Sequence, residues 1–251
     1  MECYQRGILT KEDTDGLELK FGDAQTMLKM VNLIAQREGL GNLLGQGVKK
    51  ASKEIGRGSS FFAIHGKGLE LGGYECRPYW GQALQFTFSP RGGCHHDMGL
   101  PARAEMAMGT GKELEGKGQF VKALALTATV YDSSVLCTFS KMVLGLDNPR
   151  RLISAIWGQE VSNEELKLIA ERILTLERAI ITRFGVRRKD DLLPERFTKE
   201  GYPDQAHQGS VVPLEELKDQ FYKAMGWDVD TGVPTPQKLK ELGLDFVTLD
   251  G

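Results

Sequence analysis

Residues 120–139 read FVKALALTATVYDSSVLCTF, and the interpretation of the whole chain starts from this stretch. Its first part spaces apolar residues three and four positions apart, which predicts an α-helix with one apolar face. The small residues that follow predict a turn, which carries a carboxylate at Asp132 and a thiol at Cys137. A carboxylate accepts hydrogen bonds from ring N–H groups, and a thiolate binds soft metals or cluster iron. The stretch therefore predicts a helix that delivers a cofactor-binding turn, although single Asp and Cys residues more often have local structural roles.

The composition is that of an ordinary globular protein. In 251 residues, 26% are charged and 41% hydrophobic, with a formal net charge of -2. Lys and Arg are interspersed with acids, so the sequence lacks the basic stripe of a nucleic-acid-binding protein. It also lacks a signal-peptide pattern and an apolar run of about 18 residues, the length that crosses a bilayer. We therefore predict a cytoplasmic protein without nucleic-acid or membrane partners.

The cysteines and histidines do not form a complete metal site in the sequence. A self-contained zinc or iron–sulfur site has clustered thiolates, but these cysteines are scattered, at Cys3, Cys76, Cys94 and Cys137. His95 and His96 are adjacent, yet neighbouring side chains usually point in different directions and no His-Glu-x-x-His helix accompanies them. If Cys137 binds a cluster, the other three thiolates must come from another polypeptide segment.

The remaining patterns predict helices around one irregular segment. Asp23 is an N-cap for a helix to about Arg37, and a second amphipathic helix follows over residues 40–55. A capping box at residues 162–165 begins a helix whose broad apolar face predicts the central core helix. Residues 61–99 are rich in glycine, which is typical of a functional loop system or a domain junction. We predict an all-α fold of two small helical domains, residues 1–71 and 72–251.

Several spaced motifs resemble the tungsten-containing aldehyde:ferredoxin oxidoreductase family. Asp132-x-x-x-Leu136-Cys137 resembles the second of the family's two Asp-x-x-Gly-Leu-(Cys or Asp) motifs, with Val135 where the family usually has Gly. Residues 89–95, SPRGGCH, look like the family segment tSpRGa-x-H. The similarity runs from Cys3 to about Val247. It implies the family's C-terminal domains 2 and 3, which are helical, without the N-terminal cofactor-binding domain.

The resemblance also implies roles for individual residues. Asp132 corresponds to a residue that holds a pterin ring, with Leu136 beside it, and Cys137 to the last ligand of a four-iron four-sulfur cluster. His95 corresponds to a histidine that transfers protons beside the metal. Tyr74 matches a tyrosine near the substrate, although a half-buried aromatic with a structural role explains it equally well. From its chemistry alone, Arg91 could meet a phosphate or pyrophosphate.

By resemblance, the expected activity is oxidation of a small aldehyde to a carboxylic acid. The expected cofactors are tungstopterin or molybdopterin and a 4Fe-4S cluster that takes one ligand from this chain, with ferredoxin as electron acceptor. The first residues resemble an internal family segment, so we expect a partner that is either the N-terminal part of the same enzyme or a separate subunit. The alternatives are a relative that reduces an aromatic acyl-thioester or carboxylic acid, and a non-catalytic helical assembly subunit.

Overall fold

The structure is a computed structural model that describes residues 1–249, with the backbone alone for Met142. Within these residues the regular secondary structure is almost entirely helical, which confirms the predicted all-α class. The one sheet of the described part is a two-stranded antiparallel hairpin that pairs His65 with Glu70 and Gly66 with Leu69. The strands are β1 (His65–Gly66) and β2 (Leu69–Glu70), and the helices are α1 (Glu2–Gln5), α2 (Ala24–Gln36), α3 (Leu40–Leu44), α4 (Val48–Ile55), α5 (Trp80–Phe88), α6 (Pro101–Met108), α7 (Lys117–Ser133), α8 (Lys141–Leu144), α9 (Asp147–Trp157), α10 (Asn163–Arg183), α11 (Glu195–Lys199), α12 (Leu214–Met225) and α13 (Pro236–Glu241).

Short 3-10 turns connect several of these helices. They lie at Glu12–Thr14, Ser59–Phe62, Thr138–Ser140, Arg188–Asp190 and Gln205–His207. In the described part of the chain, no helix is both long enough and apolar enough to cross a membrane.

Local capping rules set the helix starts as predicted. The Asp23 carboxylate accepts hydrogen bonds from the backbone N–H groups of Gln25 at 3.0 Å and Thr26 at 3.1 Å. The prediction of one continuous helix over residues 40–55 is wrong, because the chain breaks between α3 and α4. Gly47 there has a φ of +90°, a backbone conformation that a helix cannot contain.

The core is organised around α7, which packs against α5, α10 and α12. Small residues let the helices approach closely: a Cβ atom on Gly118 would lie 2.5 Å from the backbone of Gln220 in α12. Helix α10 was predicted to be the central core helix, and this is wrong. Its outer side faces solvent, where the side chains of Leu168 and Ile180 are about half exposed. The long apolar face of α10 instead covers one side of α7.

A buried ionic cluster connects the hairpin with α10 and α12. Asp191 is fully buried, and its carboxylate accepts hydrogen bonds from Arg178 at 2.9 and 2.6 Å and from the Tyr222 hydroxyl at 2.6 Å. The Lys67 ammonium, from the turn between β1 and β2, lies 3.1 Å from the same carboxylate. Burial alone would raise the pKa of Asp191, but Arg178, Lys67 and Tyr222 hold it below its ordinary value. The predicted domain boundary at residue 71, just after this hairpin, stays a prediction.

Candidate functional site

The C-terminus of α7 shapes the turn that carries the predicted cofactor ligands. The backbone N–H of Leu136 donates to the carbonyl of Tyr131 at 3.0 Å, and that of Val135 donates to the carbonyl of Asp132 at 3.1 Å. These two bonds define a Schellman motif, whose C′ position is usually glycine. Val135 occupies that position with a φ of +56°. The valine therefore keeps the backbone turn that a glycine would form, at a steric cost.

Replacing Val135 by Gly is expected to raise the free energy of unfolding by about 1 kcal/mol. The left-handed conformation costs a residue with a Cβ about 1–2 kcal/mol, and the greater chain entropy of glycine offsets part of the gain. The side chain is 93% exposed, so the change loses little packing. Urea denaturation measures the difference. The matched control is Val143→Gly in α8, an exposed valine at an ordinary helical position, where we expect no gain; equal effects of the two changes would contradict the strain argument.

The turn opens on a cleft of about 720 Å³ between α7, α10 and the loop after α5. Asp132, Leu136 and Cys137 line this cleft, and so does Arg91 from the loop. The structure thus brings together four of the six residues predicted as site residues. The cysteine is exposed, and its thiol is free. A carboxylate and an accessible thiol in one cleft form a donor set that suits a heterocyclic cofactor and a cluster iron.

Arg91 is already engaged with a partner in its own loop. Its guanidinium forms an ion pair with Asp97 and donates to the Cys94 thiol at 3.2 Å, while Ser89 donates to the same Asp97 carboxylate. Although burial opposes it, these hydrogen bonds hold the pKa of Asp97 below its ordinary value. The Arg91 side chain remains 65% exposed, so its outer N–H groups point at solvent in the cleft and can still meet an anion.

Two carboxyl groups in the cleft have pKa values above the ordinary values of their side chains. Partial desolvation raises the pKa of Asp132, against the opposing charge of Lys141. Desolvation also raises the pKa of Glu177, which lies across the cleft on α10, and Asp97 adds to this shift. Sequence reasoning missed Glu177; the available signal was a carboxylate among the apolar positions of the α10 face.

The predicted catalytic residues lie beside the cleft. Among the described residues, it is His96, and not the predicted His95, that lines the cleft with Asp132. The rings of the two histidines nevertheless lie together, with centroids 3.9 Å apart, so the expectation that they diverge is wrong. The ring of Tyr74 packs against the ring of His95, with centroids 5.0 Å apart. The ring of His95 fits against Gly72, where a Cβ atom would lie 2.6 Å from its Nδ1.

Polar atoms around the cleft fit a site that another group completes. Within residues 1–249, three buried atoms near the turn have no hydrogen-bond partner: Nδ1 of His96, Oγ1 of Thr138 and Nζ of Lys141. Buried polar atoms in native proteins normally have at least one hydrogen-bond partner. The same part of the chain contains no group of three His, Cys, Asp or Glu side chains that could hold a metal ion. The residues around the cleft therefore fit an organic cofactor and one ligand of a cluster.

Sequence comparison defines the class to which this helical fold and cleft belong. The model of the family "Aldehyde ferredoxin oxidoreductase, domains 2 & 3" matches residues 1–244, and the chain belongs to this family. It is similar to the tungsten-containing aldehyde ferredoxin oxidoreductase of Pyrococcus abyssi, with 31% identity over 98% of this chain. It is also similar to the WOR-like subunit of the aliphatic sulfonate oxidoreductase of Pyrococcus furiosus, with 32% identity over 97% of this chain.

The chain spans only part of these relatives. It covers 41% of the Pyrococcus abyssi protein and 38% of the Pyrococcus furiosus subunit. Among solved structures, the fold resembles a chain of the active site complex BamBC of benzoyl coenzyme A reductase, in complex with 1,5 dienoyl-CoA. The TM-score is 0.68 with 23% identity, over 98% of this chain and 42% of that one. At this identity the likeness concerns the fold alone.

Proposed function

We propose that this chain forms the C-terminal part of a tungstopterin or molybdopterin oxidoreductase of the cytoplasm, which oxidises aldehydes to carboxylic acids. Electrons pass through a 4Fe-4S cluster to ferredoxin. The observation that carries the proposal is the cleft lined by both Asp132, in the last turn of α7, and Cys137, five residues further along the chain. Membership in the family supports it, since its curated relatives include tungsten-containing aldehyde oxidoreductases.

Each residue has a chemical task in this proposal. The Asp132 carboxylate accepts hydrogen bonds from the pterin ring, next to Leu136, and Arg91 meets the anionic part of the cofactor. The Cys137 thiolate ligates one cluster iron. When bound, the metal–pterin group supplies the redox chemistry. His95 moves protons at the edge of the cleft, and Tyr74 orients the oxygen of the substrate.

The cluster needs three more thiolates, which we assign to the remaining part of the enzyme. That part is either continuous with this chain or a separate subunit. One thiolate does not hold a four-iron cluster, so the isolated chain is expected to be colourless and inactive.

Reconstitution tests the proposal. This chain is co-expressed anaerobically with the polypeptide encoded next to it upstream, purified through a tag on this chain, and analysed for iron, tungsten and molybdenum. We expect about four irons and one tungsten or molybdenum per complex. Asp132→Ala should lower the tungsten or molybdenum content at least about 10-fold, because the pterin loses its hydrogen-bond acceptor. Asp147→Ala, an exposed aspartate of α9 outside the cleft, is the matched control and should keep it.

The outcomes separate the alternatives. A metal-loaded complex that oxidises aldehydes supports the proposal, whereas a loaded complex that acts only on aromatic acyl-thioesters or carboxylic acids identifies a reductase on the same scaffold. A complex that forms but contains no metal would leave a non-catalytic helical subunit and overturn the proposal.

A further inference from the structure

A second cleft, of about 360 Å³, lies where the β1–β2 hairpin meets the chain that follows α10. Its lining comes from α4, the 3-10 turn at Ser59–Phe62, the hairpin and residues 184–195. None of these lining residues also lines the cofactor cleft. The volume is in the range that holds a small organic ligand. We call this cleft the hairpin pocket.

Two polar groups in the lining of the hairpin pocket have no partner in the part of the chain that the structure describes. Lys49 on α4 forms no ion pair there, and the buried Nδ1 atom of His65 on β1 has no hydrogen-bond partner. Desolvation lowers the pKa of His65, the charge of Lys49 lowers it further, and Glu70 opposes both. The imidazole is therefore uncharged near pH 7, and it offers one N–H donor without a second full charge.

The other charged side chains around the pocket are held by contacts within the protein. These contacts are Lys67 with Asp191 at 3.1 Å, Glu195 with Lys199 at 2.5 Å, the Asp190 carboxylate with the backbone N–H of Arg187 at 2.9 Å, and the Glu70 carboxylate with that of Val48 at 2.7 Å. The Lys49 ammonium is thus the cation that is left for a ligand. Because Asp190 and Glu195 keep their negative charges in the lining, they favour a singly charged anion over a multiply charged one.

The rest of the lining is mostly apolar. It is formed by Ala63, Phe184, Val186, Leu192, Leu193 and Pro194. The side chain of Phe184 is 84% exposed and that of Leu192 is 50% exposed, so both present apolar surface to solvent at the pocket. A ligand that covers this surface gains binding free energy in proportion to the apolar area removed from water.

We propose that the hairpin pocket binds a small organic carboxylate that carries an apolar chain. The carboxylate pairs with the Lys49 ammonium and accepts a hydrogen bond from Nδ1–H of His65, so its two oxygens match the two donors. The apolar chain lies against Phe184 and Leu192. Inorganic phosphate carries more than one charge and no apolar surface, so it matches the lining less well. The site goes beyond the proposed function, because it uses no residue of the cofactor cleft.

An NMR titration of the 251-residue chain with hexanoate, at pH 7 and constant ionic strength, tests the site. We expect saturable shifts of the His65 ring signals and of the backbone amides of residues 184–193, with a Kd of about 1 mM. Hexanamide has the same apolar chain without the charge, and inorganic phosphate has charge without the chain. Each of these two should bind at least about 10-fold more weakly than hexanoate.

Three variants locate the ligand in the pocket. Lys49→Gln should weaken hexanoate binding about 10-fold or more, the effect of one charge-assisted hydrogen bond. The matched control is Lys50→Gln, which changes the next residue of α4, an exposed lysine outside the lining, and should leave hexanoate binding unchanged. Phe184→Ala should weaken hexanoate binding about 5-fold and leave phosphate binding unchanged, because only the apolar chain covers the ring.

Hexanoate that does not saturate, or that binds no better than hexanamide, would overturn the site. So would equal binding to the wild type and to Lys49→Gln. Phosphate that binds as tightly as hexanoate, with no effect of Phe184→Ala, would overturn the assignment to an organic carboxylate. Far-UV circular dichroism confirms the helical content of each variant, and Lys49→Met is titrated as a second variant at that position. The titration needs no cofactor, so its result and the result of the reconstitution are independent of each other.

Discussion

Asp191→Ala is expected to lower the free energy of unfolding by about 3–5 kcal/mol, the cost of breaking a buried ion pair by removing one partner. The Asp191 carboxylate is fully buried and accepts two hydrogen bonds from Arg178. Its removal leaves that guanidinium, and the Lys67 ammonium 3.1 Å away, without their counter-charge inside the protein. Urea denaturation of the chain, followed by circular dichroism, measures the change.

The matched control is Asp147→Ala. This aspartate also pairs with an arginine, Arg150, at 3.0 Å, but it is 65% exposed, so we expect a loss of at most about 1 kcal/mol. Similar losses for the two variants would contradict the buried-cluster argument. The pH dependence gives a second check: because the folded-state pKa of Asp191 is depressed, its contribution is present above the ordinary aspartate pKa and is lost as the pH falls. The variant should therefore lose less stability on acidification than the wild type.

Cys137→Ala is expected to remove the cluster from the reconstituted complex. Its thiol is exposed at the cleft, and we assign to it one of the four bonds that hold the irons. With three thiolates left, the copurifying iron should fall from about four atoms per complex towards zero, and the brown absorption should disappear. Iron analysis and visible spectroscopy of the anaerobically purified complex measure both.

Cys94→Ala is the matched control for this loss of iron. Cys94 also lies beside the cleft, where its sulfur accepts a hydrogen bond from Arg91 at 3.2 Å, but we assign no iron to it. It should retain the full iron content. Iron that persists in Cys137→Ala, or a brown isolated chain, would remove Cys137 from the cluster.

Local rules made much of the fold predictable. Asp23 and Ser162 cap helices because their side-chain oxygens satisfy free N–H groups within three residues, which the sequence alone reveals. The joint position of Asp132 and Cys137 at one cleft was predictable from their short spacing across the end of α7. The turn forms even with valine at position 135, because the two hydrogen bonds of the Schellman motif hold the backbone in the left-handed conformation.

Tertiary contacts decided what the sequence left unresolved. The pairing of Arg91 with Asp97 depends on how the loop folds back on itself, and the contact between His95 and His96 depends on a bend that no periodic pattern reports. Glu177 was missed because its place in the cleft depends on the packing of α10 beside α7. In each of these cases the partner lies outside the range of helical periodicity.

The close contact at Gly118 affects the position of the other end of α7, which carries Asp132. This glycine sits directly against the backbone of Gln220, and Asp132 follows 14 residues later (132 − 118) on the same helix. At the helical rise this separation is about 21 Å, so a rotation of about 5° at the contact would carry Asp132 through about 2 Å. Misplacement by about 1 Å can cost a reaction about 100-fold. The packing of α7 against α5, α10 and α12, including the contact at Gly118, therefore fixes the position of Asp132.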